Sequence, residues 1–308
     1  MNRIQKENTA FRALPKGIYH LCTDGWQEGK LFNDVSQFKM GMSTIALVAD
    51  KYDAQILSFV LMPNHIHILL SATGQTCLNI FQFIRRRISY RLSRDGNAPL
   101  PDSYGMKLIP IEDRNSLRTH YIYLARNAYE KGFCNPGCYP WTSEYLVFSR
   151  LARSIRGTRI DCMNECEVRC ILGSKHPLPG HWEIHPELGV LPRNYIDIEK
   201  ADALFGSPKT YMTRLVKDYE SFIYVSKELD EEILFSKPEV NDILYETLHR
   251  QYPGKRIGNL TSDEKSKLTV SLYRQYGFSS ALLSEILYMP ERTVLQLIGS
   301  KDYGHKIH

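Results

Sequence analysis

The 308-residue chain contains no uninterrupted run of eighteen or more apolar residues, so nothing in it reads as a membrane-spanning helix. Its opening segment, MNRIQKENTAFRALPKG, lacks an apolar signal core, and the expectation is a cytoplasmic protein. Internal repeats and low-complexity tracts are missing, which sets aside repeat architectures. No CxxC pair occurs among the 7 cysteines. Cys162, Cys166 and Cys170 are spaced to share one helix face and could join His176 or His181 around zinc, but reduced thiols are the plainer expectation.

What is present is the composition of a folded protein, with 43% hydrophobic and 24% charged residues. The net charge of +5 is unevenly spread. Residues 1–150 carry 18 Lys and Arg against 12 Asp and Glu, whereas residues 151–308 carry 21 against 22. The basic excess of the first half suits an anionic partner, or simply a solvated basic surface.

The pattern along the chain alternates short strands and helices. IYHLCTD (18–24) reads as a strand, about 34–50 as a helix, and the apolar AQILSFVLM (54–62) as a strand. Pro63 and Asn64 make a turn into a second strand, HIHILL (65–70). Ile80, Ile84, Ile88 and Leu92 give residues 76–94 an apolar helical stripe. MKLIPI (106–111) is a short strand and 115–131 a helix stopping at Gly132. This order predicts an α+β fold: a ferredoxin-like antiparallel sheet with packed helices over 1–150. Residues 151–194, broken by prolines and glycines, read as an irregular linker, and 195–308 as mainly helical.

His65 and His67 sit one residue apart in an extended segment, so both imidazoles face one side, where they could ligate a divalent metal. In the helix at 115–131, Leu117, Tyr121, Leu124 and Ala128 form the core stripe. His120, Tyr123 and Asn127 fall on another face. Periodicity therefore assigns Tyr121 to packing and leaves Tyr123 as the one free for chemistry. A metal that polarises a phosphate offsets the weak nucleophilicity of a tyrosine hydroxyl, whose pKa is ordinarily near 10. The Asn127 carbonyl could complete the metal sphere.

These blocks resemble the REP-associated (IS200-like) tyrosine transposases, a single-tyrosine branch of the HUH nucleases. The resemblance runs over roughly residues 14–148. FVLMPNHIHILL (59–70) carries most of it, with GIYHLCTDG (17–25), YIYLARNAYEKGF (121–133) and YPWTSEY (139–145). It implies Tyr123 as nucleophile, His65, His67 and Asn127 as ligands of Mg²⁺ or Mn²⁺, and attack on single-stranded or hairpin DNA to leave a 5′-phosphotyrosine. It also implies a homodimer and a nucleoid-associated place in the cell. Ala128 departs from the family's usual proline.

Two further features suit a nucleic acid. Arg85, Arg86, Arg87, Arg91 and Arg94 lie on one helix and could follow a phosphate backbone, with Phe83 and Tyr90 stacking on a base. Near the end, 268–299 reads as a helix-turn-helix with the turn at Tyr288–Pro290, and Arg292, Thr293 and Gln296 of its second helix facing a groove. The expected function is a metal-dependent DNA nicking and joining enzyme. The alternative is a non-catalytic DNA-binding or regulatory protein of the same descent.

Overall fold

The computed structural model describes residues 9–26, 29–130, 138–217, 219–229, 231, 235 and 237–302. Gly132, the expected helix stop, and Cys134 lie outside them. The chain divides into two compact units, residues 1–217 and 218–308.

The first unit is built on β1 (Gly17–Thr23), α1 (Val35–Lys51), β2 (Gln55–Leu61), β3 (Ile66–Ala72), α2 (Gly74–Arg94) and β4 (Met106–Ile111). The strands form an antiparallel sheet in the order β2-β3-β1-β4. That order, with helices after β1 and β3, is the expected ferredoxin-like α+β arrangement. Both long helices start at side-chain caps: Asp34 accepts from the Gln37 amide and Thr73 from the Thr76 amide. The interrupting Pro110 is tolerated because β4 is an edge strand.

The two faces of the sheet are covered differently. Leu61 is the cross-strand partner of Ile66, so both point away from the face that carries His67. A methyl group on Gly41 of α1 would approach Leu61 to 2.7 Å, which places α1 on the Leu61–Ile66 face. α2 lies beside α1, joined to it where Arg87 donates to Thr44 at 2.9 Å. The His67 face is covered by α3 (Arg114–Glu130).

Residues 151–194 are not a linker between units. They fold back onto α1 as β5 (Thr158–Arg159), α4 (Glu165–Leu172), β6 (Glu183–His185) and β7 (Gly189–Val190), with the strands in a small three-stranded sheet. Val168, Leu172, Leu178, Trp182, Ile184 and Val190 form one cluster with Ala46 and Leu47 of α1. Its prolines, and its glycines apart from Gly189, lie outside α4 and the three strands, and scattered apolar residues between them supply the burial. α5 (Ile198–Phe205) and α6 (Pro208–Lys217) then cover the outer side of α3, where Arg114, Arg118 and Arg126 donate to the carbonyls of Ala203, Leu204 and Leu215.

The second unit is helical: α7 (Tyr219–Leu229), α8 (Lys237–Gln251), α9 (Ser262–Tyr276), α10 (Ser280–Leu287) and α11 (Glu291–Asp302). Leu268, Leu272, Leu283, Leu287 and Val294 are buried in its core. Tyr288 adopts a left-handed conformation at φ 54, closing α10 and turning the chain into α11. Ser284 donates to the Met289 carbonyl at 2.7 Å and holds that turn. No helix among the described residues is long and apolar enough to cross a membrane.

Candidate functional site

The β2–β3 turn that presents the two histidines is pinned from several sides. The amides of Leu31 and Phe32 donate to the Pro63 carbonyl, the Trp26 amide to the Asn64 carbonyl, and the Ile66 amide to Thr23 Oγ1. YPWTSEY (139–145) runs along the outer edge of β2, with Thr142 bridged to Val60 and the Tyr139 hydroxyl donating to the Leu61 carbonyl at 2.8 Å. The motif and the aromatic segment thus brace one another although about 80 residues apart.

His65 and His67 meet edge to face, ring centroids 4.7 Å apart. His65 Nδ1 lies 2.8 Å from Asn64 Oδ1, an acceptor, so the proton sits on Nδ1 and Nε2 keeps a lone pair. Tyr123 packs against His67 at 5.4 Å between centroids with the rings 83° apart. Asn127, one turn further along α3, places Nδ2 3.3 Å from His67 Nε2. Its Oδ1 is buried and has no hydrogen-bond partner among the described residues. Two imidazole nitrogens and an orphaned amide oxygen are a donor set that fits a divalent cation.

Tyr123 lies off the core stripe read from periodicity, yet it is not on the surface. Tyr121 and Tyr123 do point to opposite sides of α3, but both are buried, at 2% and 0% exposure. Tyr123 faces the histidines of the sheet, and Tyr121 meets Phe205 of α5 at 5.5 Å. The reason is the layer formed by α5 and α6, which gives the helix a second packing surface that its own periodicity does not report.

Two groups near the site were not singled out from the sequence. His20 on β1 reaches His67 Nδ1 at 3.0 Å through Nε2 and His120 Nδ1 at 2.9 Å through Nδ1. Its signal was available: a histidine alternating with Ile18 and Cys22 on a strand face is unusual enough to ask what it meets. Burial, then the neighbouring imidazoles of His67, His120 and His65, hold its pKa well below the ordinary value, and burial pushes His120 down to about 4. The second group is Glu144, buried at 3% exposure beneath Tyr121 and Tyr211. Burial pushes its carboxyl up to about 8, against the opposing hydrogen bonds from Ser58 and Tyr211.

The arginines of α2 do not join this site, since α2 lies on the other side of the sheet. Arg87 is consumed by structure, donating to Thr44 and to the carbonyls of Leu172 and Gly173. Arg85 pairs with Asp102, and Arg91 with Asp95. Phe83 is half-buried, with Tyr52, Lys51 and Arg87 against its ring. Arg86, Arg94 and Tyr90 remain exposed. Arg87, Arg91 and Arg94 border a cleft of about 310 Å³ with Lys39 and His185. In the second unit Arg292 and Gln296 are exposed on α11, and Thr293 is half-buried. Cys162, Cys166 and Cys170 are exposed and belong to no metal-binding group among the described residues.

No family model and no curated protein matches the chain. One solved structure is similar. It is a REP-associated tyrosine transposase bound to a REP hairpin, 16% identical, covering 45% of this chain and 84% of that one, with a TM-score of 0.38. That is a distant likeness.

Proposed function

We propose that the chain is a metal-dependent nicking and joining enzyme for single-stranded DNA, working through a 5′-phosphotyrosine intermediate. The observation that carries this reading is the convergence of His65, His67, Tyr123 and Asn127, drawn from a turn, the strand after it and a helix, into one contiguous cluster. Mg²⁺ or Mn²⁺ held by the two imidazoles and the Asn127 carbonyl would neutralise charge on the scissile phosphate. Tyr123 supplies the attacking oxygen. Its bond to phosphorus forms as the bond from phosphorus to the 3′-oxygen breaks, and the released 3′-hydroxyl takes up the proton. Rejoining is the reverse: a 3′-hydroxyl attacks the phosphotyrosine and the tyrosine leaves. The hairpin seen with the distant structural neighbour makes structured single strands the first substrates to try.

A second reading has one observation in its favour. Tyr123 and His67 are both fully buried at 0% exposure, so a strand reaches them only when covering residues give way. A non-catalytic DNA-binding protein would need no such opening. One experiment separates the two: a labelled hairpin oligonucleotide is incubated with the protein and Mn²⁺ or Mg²⁺, then run on native and denaturing gels. A covalent, metal-dependent adduct is expected. A native shift without any adduct would establish the binding protein instead.

A further inference from the structure

We propose that His20 is the positioning residue of this site: it fixes the tautomer and ring angle of His67, and ties the strand bearing that ligand to the helix bearing Tyr123. The inference rests on the metal-dependent reading above.

His67, His20 and His120 form a line of three buried imidazoles, at 0%, 0% and 1% exposure. The contacts are 3.0 Å from His67 Nδ1 to His20 Nε2 and 2.9 Å from His20 Nδ1 to His120 Nδ1. A neutral imidazole has one N–H and one lone pair, and the two contacts engage both nitrogens of the middle ring. The middle ring then accepts on one side and donates on the other, and the line can run in only one direction at a time.

Asn127 selects the direction. Its amide Nδ2 is aimed at His67 Nε2 at 3.3 Å, which requires a lone pair on that nitrogen. His67 therefore carries its proton on Nδ1 and donates to His20 Nε2. His20 in turn donates from Nδ1 to His120. The result is a His67 whose Nε2 lone pair faces the Asn127 amide and passes to a cation once that amide turns its oxygen to the same ion, backed by an acceptor that raises its basicity. His120 precedes Tyr123 by three residues on α3, so the same line sets the spacing between ligand strand and nucleophile helix.

The test has two arms. The first is nitrogen NMR of the metal-free full-length protein with labelled histidines. A pyridine-type Nε2 and a pyrrole-type Nδ1 are expected for His67, and the opposite tautomer would overturn the proposal. The second compares Mn²⁺ affinity by calorimetry in the wild type, His20→Phe and His20→Gln, with thermal unfolding followed in parallel. Loss of an outer-sphere partner of this kind costs about 10–100-fold in metal affinity. That loss is expected for the Phe variant. The Gln variant, whose amide can accept from His67 and donate to His120, should recover part of it. Equal affinity in all three folded proteins would sink the role of His20. A wild type that binds no Mn²⁺ would instead remove the metal-dependent reading itself.

Discussion

The ring of Tyr123 stands at 83° to that of His67, with 5.4 Å between their centroids, and the contact joins helix α3 to strand β3. Tyr121, about 200° of helical rotation away, meets Phe205 instead. Tyr123→Phe should therefore abolish the covalent DNA adduct while leaving fold and DNA binding in place. Tyr121→Phe should keep the adduct at a cost of about 1 kcal/mol or less in stability. Denaturing gels followed by peptide mapping decide it: an adduct on Tyr121, or one surviving in Tyr123→Phe, reverses the assignment.

Removing the histidine ligands should act on metal response before it acts on folding. The double variant His65→Ala/His67→Ala is expected to lose metal-dependent cleavage, with Asn127→Ala weakened in the same direction. Cleavage measured across a Mn²⁺ titration gives the readout. Undiminished cleavage in the double variant would rule these residues out as the metal site.

Glu144 links stability to pH. Its folded pKa of about 8 lies above the ordinary 4.5, with burial as the leading cause. A group raised on folding contributes stability that is fully present below the unfolded value and is lost as pH climbs through the folded one. The loss should fall between about pH 4.5 and 8, at no more than about 1.4 kcal/mol per pH unit. Glu144→Gln keeps the neutral shape and removes the titration. Its unfolding midpoint should gain on that of the wild type as pH rises through this window; parallel curves would contradict the assignment.

Trp182 tests whether residues 151–194 belong to the first unit. It is buried against Tyr195 and shares a cluster with Ala46 and Leu47. Trp182→Ala should cost about 3–5 kcal/mol in denaturant unfolding. A loss below about 0.5 kcal/mol, the size of ordinary surface effects, would mean the segment adds little to that unit.

On α11, Arg292 and Gln296 are exposed, whereas Leu268 and Leu272 of α9 and Val294 of α11 are core. Deleting 268–308 would dismantle the second unit, so point variants are the sound probe of DNA recognition. If α11 reads a groove, Arg292→Ala and Gln296→Ala should each cost about 1–3 kcal/mol in binding to the preferred flanking sequence. Equal affinities for preferred and scrambled sites, in wild type and variants alike, would show that these residues read no bases.

The sequence by itself determined the order of strands and helices, because alternation and helical periodicity are local and each apolar stripe needs a partner surface. It also placed His65, His67, Tyr123 and Asn127 among the candidates, since their spacings fix which side chains share a face. Tertiary structure decided what those faces meet. Periodicity left Tyr123 off the core stripe of its helix, but α5 and α6 cover the outer side while the sheet takes Tyr123. The arginine stripe of α2 looked available for phosphate until α4 folded back and Arg87 was spent on its terminal carbonyls. The line from His67 through His20 to His120 spans 100 residues between its last two members. Such a contact leaves no periodic trace, because hydrogen bonds between distant segments form only when the sheet and helix have been brought together by the burial of other residues.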